Sequence, residues 1–345
     1  MPTIWRACCS TPTATAGAAP RSAPAHRPLP GATAGPRRRP ITWTSWGGCS
    51  MGESASSNFR LGRWLTLGLV SPWRQHRAPP ADHRVRILMY HSISRRVDDH
   101  AHPYYRTVTT PERFREHMEL LRDDGHRVMS LGDAMRWMNT PVLDDGAEQP
   151  SPVVVTFDDG FADFFTHAFP VLDALRIPAT VFLATGCLNG RFVNGQPCLR
   201  RAEVGELAAR GVSFGSHTVS HPRLVHLGQG DIDKELLRSR QEIEQITGAP
   251  VTLFSYPYRF PEEDGEFTAR LAARLKRNGY EGGVTTSIGS ASAHDDPLFL
   301  KRLPVNDDDD AELFRAKLEG DYDWLHGVQL ASKRWRQWTH GRAVA

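Results

Sequence analysis

Short runs of β-branched and apolar residues recur along the chain from Val85 onward, each followed by a stretch whose apolar positions fall three and four apart. Val85-Arg86-Ile87-Leu88-Met89-Tyr90 and Val153-Val154-Val155-Thr156-Phe157 predict buried strands, as do residues 179–184, 212–214, 251–256, 282–286 and 299–305. Between them, Thr110 fits an N-cap and Pro111 a first helical turn, with Phe114, Met118 and Leu121 on one face and Gly125 as the stop. Ser130 is placed to cap a short helix carrying Leu131, Ala134, Met135 and Met138. Phe161, Phe164, Phe165, Ala168 and Leu172 have helical spacing, although Pro170 must kink or restart that helix. Residues 201–210 predict a helix. Asp231 is expected to cap a long amphipathic one bearing Ile232, Leu236, Ile243 and Ile246 and ending at Gly248. A last helix over 262–278 presents Phe267, Leu271 and Leu275. Strands alternating with helices predict a parallel sheet, open or closed into a barrel, with any active site at the carboxyl ends of the strands. No internal repeat is visible.

The pattern fails before Val85. Residues 1–50 are rich in Ala, Pro, Thr, Gly and Arg, a composition that buries too little apolar surface to offset ordering, and they are expected to be disordered. Residues 1–84 form this leading tract, with Met51 as a candidate translation start. Within it, residues 60–73 set Leu61, Trp64, Leu65, Leu67, Leu69 and Val70 among basic residues. That stretch suits a short amphipathic helix, placed either at a membrane surface or against the folded domain. The domain itself is expected over 85–310, with a polar linker from Asp144 to Gln149 inside it and a helical extension over 311–345.

Composition narrows the function by exclusion. With 345 residues, 40% hydrophobic and 23% charged, the chain is long enough for a sizeable core, and its formal charge of +3 gives no argument for nucleic acid. No run of about 18 apolar residues offers a membrane span. Residues 1–50 hold no apolar core of the kind a secretory signal needs. The five cysteines include no CxxC pair. Cys187 and Cys198 flank a Gly/Asn-rich loop and could pair, but two cysteines make no disulfide framework and lack zinc spacing.

Candidate chemistry gathers at the predicted strand exits. Strand 153–157 ends in the adjacent carboxylates Asp158 and Asp159 and then Gly160. Two like charges side by side are costly unless a cation offsets them or one shifts its pKa. His217-Thr218-Val219-Ser220-His221 follows another strand end, and histidines four apart can face one way. Taken alone, that spacing fits two ordinary loop histidines. Beside the aspartates it offers one Asp and two His, three ligands that leave a coordination position open for water, as catalytic sites do. Tyr256-Pro257-Tyr258-Arg259 reads either as a proline turn or as a rigid loop giving a backbone N–H to an oxyanion and a tyrosine wall to a substrate ring. His91, at the exit of the first strand, is a loop histidine or an acid.

Thr156-Phe157-Asp158-Asp159-Gly160, His217-Thr218-Val219-Ser220-His221 and Tyr256-Pro257-Tyr258, in that order, resemble the polysaccharide deacetylases of the NodB-homology group, carbohydrate esterase family four. The resemblance spans roughly residues 85–305. It implies a distorted (β/α) barrel and a divalent metal, often zinc, that helps remove acetyl groups from polymers containing N-acetylglucosamine. Carried over by position, it implies Asp158 as general base, Asp159, His217 and His221 as metal ligands, and Tyr258 as donor of the oxyanion N–H. Tyr256, Pro257 and Arg259 would contact substrate. Two features depart from the family pattern. Ser255 and Tyr256 stand where many members carry an arginine that orients the base, leaving Arg259 or Arg302 as substitutes. The late Leu-x-His that supplies the acid is replaced by Leu300-Lys301-Arg302-Leu303. Met89-Tyr90-His91 is similar instead to the branch of biofilm poly-N-acetylglucosamine deacetylases, which places the acid on the first strand. His91 is therefore the expected acid, with His294 in reserve. Asp321-Tyr322-Asp323-Trp324 faintly resembles a further family motif but lies too far downstream to use.

Two other functions compete with deacetylation. A glycan-binding relative could have kept the fold and metal site while losing the acid and arginine. A metal-dependent phosphohydrolase also uses adjacent aspartates, but magnesium favours oxygen ligands over two histidines.

Overall fold

Seven parallel strands pair side by side until the last meets the first. The computed structural model describes residues 62–75, 84–95, 107–140 and 151–341. The expectations for residues 1–50, for the linker at 144–149 and for Cys8, Cys9 and Cys49 lie outside these. The strands are β1 (Arg84–Tyr90), β2 (Val153–Phe157), β3 (Ala179–Leu183), β4 (Ser213–Ser216), β5 (Leu253–Ser255), β6 (Gly282–Ile288) and β7 (Leu300–Pro304). Each pairs with its neighbour in parallel, and β7 also pairs with β1, closing a (β/α) barrel. Because helices cover the outside and side chains fill the inside, both faces of a strand are dry, which is why Val153, Val154 and Val155 are all fully buried.

Helices α1 (Pro111–Asp123), α2 (Leu131–Met138), α3 (Phe169–Leu175), α4 (Arg201–Ala209), α5 (Gln229–Thr247) and α6 (Gly265–Arg277) carry the chain between strands. Thr110 and Ser130 cap as their sequence implies, accepting from the backbone N–H of Arg113 and Asp133. The stretch around Pro170 divides into a π-helical turn, Phe164–Ala168, and α3, with Pro170 in its first turn. Two boundaries differ from expectation. Helix α5 begins after Gly228, leaving Asp231 in its first turn, where it pairs with Lys234. Helix α6 begins after Asp264, whose side chain accepts from Phe267 N–H, so Glu262 and Glu263 fall outside it. Glu262 is engaged by Lys333 and Glu263 by Arg259.

Helices α7 (Ala311–Glu319) and α8 (Leu325–Gly341) follow the barrel. Gln329 of α8 bonds the backbone of Ile288 and Thr286 at the end of β6. Residues 62–75 are helical, with a π-helical turn at Thr66–Val70. One side docks on the domain, through Arg63 to Asp310 and Trp324 to the buried Thr66, while Trp64 and Leu69 are exposed. Among the described residues no helix is long and apolar enough to cross a membrane. Cys187 and Cys198 are free thiols.

Candidate active site and metal centre

Strand register decides what meets at the barrel mouth. Tyr90 lies opposite Phe157, so the next residues, His91 and Asp158, leave the sheet side by side, with Asp158 N–H bonded to Tyr90 O at 3.0 Å. Leu183 lies opposite Ser216, and Ser216 opposite Phe254, which brings His217 and Ser255 to the same rim. Gly160 turns with φ of 67°, and a Cβ there would lie 2.6 Å from Leu183 Cδ2, so glycine is required to let the carboxylate turn pack on β3.

Asp159, His217 and His221 converge. Asp159 Oδ1 lies 3.5 Å from His217 Nε2 and 3.4 Å from His221 Nε2, and the two Nε2 atoms are 3.2 Å apart. His217 Nδ1–H donates to Ser255 O at 2.8 Å, a tautomer that turns the Nε2 lone pair toward Asp159 and His221. Asp159 Oδ1 is buried without a hydrogen-bond partner among the described residues. An orphaned carboxylate oxygen facing two imidazole nitrogens is a donor set that fits a divalent transition metal. Burial and the neighbouring His217 push the His221 imidazole down to about 4, which keeps it neutral and able to ligate.

Asp158 is held quite differently. Its Oδ1 and Oδ2 accept from Arg302 Nη1 and Nη2 at 2.8 and 2.6 Å, a buried bidentate pair, with Arg302 0% and Asp158 2% exposed. Ser255 Oγ donates to Asp158 Oδ1 at 3.1 Å and accepts from Arg302 Nη2 at 3.1 Å. Arg302 also bonds Thr285 O and Thr156 Oγ1. Burial alone would raise the Asp158 carboxyl, but the Arg302 charge, His217 and the Arg302 hydrogen bonds together hold it below the usual carboxylate range. The absent arginine of the third motif is thus replaced from β7, with Ser255 completing the contact. Arg259 does not take that place. It is an exposed side chain paired with Glu263.

His91 lies within electrostatic reach of Asp159, Asp158, Arg302 and His217, and its burial pushes the imidazole pKa down. His294 is exposed in the turn after the Ala291–Ser292 strand, which pairs with the start of β1 at the opposite end of the barrel. That placement removes it as a reserve acid. The Tyr258 ring lies 4.4 Å from the His221 ring and beneath the Arg223 guanidinium. Tyr256 is the other correction. Its ring is only 2% exposed and packs edge-on against Phe260 and Phe267, so it belongs to the core and does not wall the site. Pro257, buried between them, sets the turn.

Four of the six non-glycine residues with positive φ among the described residues lie here: Asp159 (70°), Thr218 (70°), His221 (52°) and Tyr258 (59°). Such conformations cost about 1–3 kcal/mol each and persist where the surroundings over-determine them. Sequence reading missed several of those surroundings. Phe192 packs edge to face with His221, their ring centroids 5.0 Å apart. Asp163 is bonded to Ser92 Oγ at 2.5 Å, next to His91, and Gln196 reaches the same hydroxyl. Only Asp163, five residues after Asp158, was near enough to a recognised motif to have been found.

Comparison with known proteins points to the polysaccharide deacetylases. Residues 145–283 match the polysaccharide deacetylase family profile. YxkH of Bacillus subtilis (strain 168), whose name assigns it provisionally to the polysaccharide deacetylases, is 27% identical over 251 residues, covering 72% of this chain and 80% of the relative. A poly-beta-1,6-N-acetyl-D-glucosamine N-deacetylase of Staphylococcus epidermidis is 22% identical over 208 residues, 58% of this chain and 68% of that protein. The deacetylase PplD of Streptococcus pyogenes, solved with acetate, superposes with a TM-score of 0.59 at 24% identity, covering 69% of this chain and 99% of that one.

Proposed function

We propose, from its match to the polysaccharide deacetylase family profile over residues 145–283, that the chain is a metal-dependent N-deacetylase of an acetylated amino-sugar polymer or oligosaccharide. The observation that carries this reading is the division of labour between adjacent aspartates: Asp159 faces two histidines, and Asp158 faces Arg302. A divalent transition metal held by Asp159, His217 and His221, zinc being one that two imidazoles and a carboxylate suit, would supply a Lewis acid for the acetyl carbonyl and lower the pKa of a bound water. Asp158, kept anionic and aimed by Arg302 and Ser255, takes the proton from the attacking water. The backbone N–H of Tyr258 donates to the developing oxyanion. His91 delivers a proton to the departing amine, the sugar nitrogen, as acetate leaves. Pro257 fixes the turn that presents Tyr258, while Arg259 stands at the rim for substrate contact.

The Staphylococcus epidermidis relative's name supports an N-acetylglucosamine polymer as the substrate class. The binding-only alternative rested on a missing arginine and acid; the Arg302 pair on Asp158 supports a substitute for the first, and the nearness of His91 to both aspartates supports a substitute for the second. The phosphohydrolase alternative is weakened by the two imidazoles among three ligands. The test is acetate release from defined N-acetylglucosamine oligomers with metal analysis of the same sample. Release that stops on chelation and returns with Zn²⁺ is expected, and metal-replete protein that releases no acetate from any N-acetylated sugar would overturn the proposal.

A further inference from the structure

The loop carrying both histidine ligands is held by a carboxylate outside every motif named above. Residues 217–221 leave β4 and must place two imidazoles together while Thr218 and His221 adopt left-handed backbone. Two donors hold its carbonyls: Thr185 N–H reaches Thr218 O at 3.1 Å, and Gly186 N–H reaches Val219 O at 2.8 Å. The approach of Gly186 is close enough that a Cβ would lie 2.8 Å from Val219 O. The N–H groups of Val219 and Ser220 turn the other way, toward α5. Glu235 Oε2 accepts from Val219 N–H at 2.8 Å and Ser220 N–H at 2.9 Å, and Oε1 accepts from Ser220 Oγ at 2.8 Å. One carboxylate therefore satisfies three donors of the segment between the ligands.

We propose that Glu235 is the positioning residue of the metal centre, setting the geometry of His217 and His221 through the backbone that joins them. It touches neither ligand and would not touch substrate. Charge-assisted bonds to two consecutive N–H groups are strong and directional, and without them the loop has a relaxed alternative, because αL backbone at Thr218 and His221 is intrinsically unfavourable. Outer-shell partners of metal ligands typically govern affinity by roughly 10–100-fold. Residue type matters in a testable way. A glutamine keeps an oxygen able to accept both N–H groups and offers its amide to Ser220 Oγ, whereas alanine removes all three contacts and aspartate draws the carboxylate back by one methylene.

This inference rests on the metal reading of the site, and the experiment separates the two. Zn²⁺ affinity is measured by competition with a chromogenic chelator for the full chain, alongside urea unfolding of the metal-free proteins. Glu235→Ala is expected to bind Zn²⁺ roughly 10–100-fold more weakly, and Glu235→Gln to restore affinity close to wild type. Glu235→Asp, which keeps the charge, should fall between them and serves if the alanine variant does not fold. Wild-type affinity in both Glu235→Ala and Glu235→Asp overturns the positioning role while leaving the metal reading intact. A glutamine variant as weak as alanine also overturns it. Wild-type protein that takes up no Zn²⁺, with Asp159→Asn indistinguishable from it, overturns both.

Discussion

Replacing Arg302 with methionine is the most informative single perturbation of this barrel. The guanidinium is fully buried and makes five hydrogen bonds: one to Thr285 O, one to Thr156 Oγ1, two to Asp158 and one to Ser255 Oγ. Methionine fills much of the volume but leaves the Asp158 carboxylate in the barrel interior with Ser255 as its remaining polar contact. Breaking a buried pair by removing one partner costs about 3–5 kcal/mol, a large share of the roughly 5–15 kcal/mol that holds a domain together. Lysine is not a conservative replacement, because an ammonium cannot supply two parallel N–H donors. Urea unfolding of metal-free protein measures the loss, and acetate release measures the effect of an unaimed base, expected at about 10²–10⁴-fold. A double-mutant cycle makes the reasoning refutable. In Arg302→Met with Asp158→Asn no charge is stranded, so the double variant should be more stable than Arg302→Met alone, with a coupling of about 0.5–3 kcal/mol. An Arg302→Met variant that loses less than about 1 kcal/mol, or a strictly additive cycle, would refute the idea that this pair is a buried electrostatic unit.

Three further outcomes follow from the coordinates. His117 is buried and neutral, donating from Nε2 to Asp309 O at 2.6 Å and accepting from Tyr90 OH at 3.0 Å, and burial lowers its pKa. Its folded pKa is below the unfolded value of about 6.5, so its contribution is complete above that pH and is lost as pH falls through the folded pKa; His117→Gln should show a shallower acid-side decline in urea midpoint. Gly283→Ala places a Cβ 2.3 Å from Leu298 O, a backbone atom that cannot swing aside, and should destabilise by about 1–3 kcal/mol or more in the same assay. Zn²⁺ should raise the unfolding temperature of the wild type, by the equivalent of about 2.7 kcal/mol at a hundred times its Kd, and leave Asp159→Asn nearly unmoved.

Much of the barrel could be read from the chain because a parallel strand dry on both faces writes itself as a continuous apolar run, as Val153 to Val155 do. The Asp159, His217 and His221 cluster was legible for a related reason, since Asp159 follows such a run and the two histidines follow another predicted strand end. Helix starts at Gly228 and Asp264 were less so, because several acidic residues nearby could each have capped. What sequence left open was long-range pairing. Arg302 lies 144 residues from Asp158, and only the closure of β7 against β1 and the reach of an arginine through the barrel connect them. Tyr256 and Tyr258 are two residues apart, which strand alternation would set on one face; the turn at Pro257 and the left-handed φ of Tyr258 (59°) send the first ring to the core and the second beside His221. Glu235 was invisible for the same cause: its partners are backbone N–H groups, which no residue pattern announces.

The division between the two aspartates is the centre of the account, and one paired measurement tests it. Zn²⁺ content and acetate release from an N-acetylglucosamine oligomer are determined together for the wild type and Asp158→Asn. Both proteins should hold one equivalent of metal, while the variant's turnover falls by about 10²–10⁴-fold or more. Undiminished acetate release by Asp158→Asn, at full metal content, would contradict it.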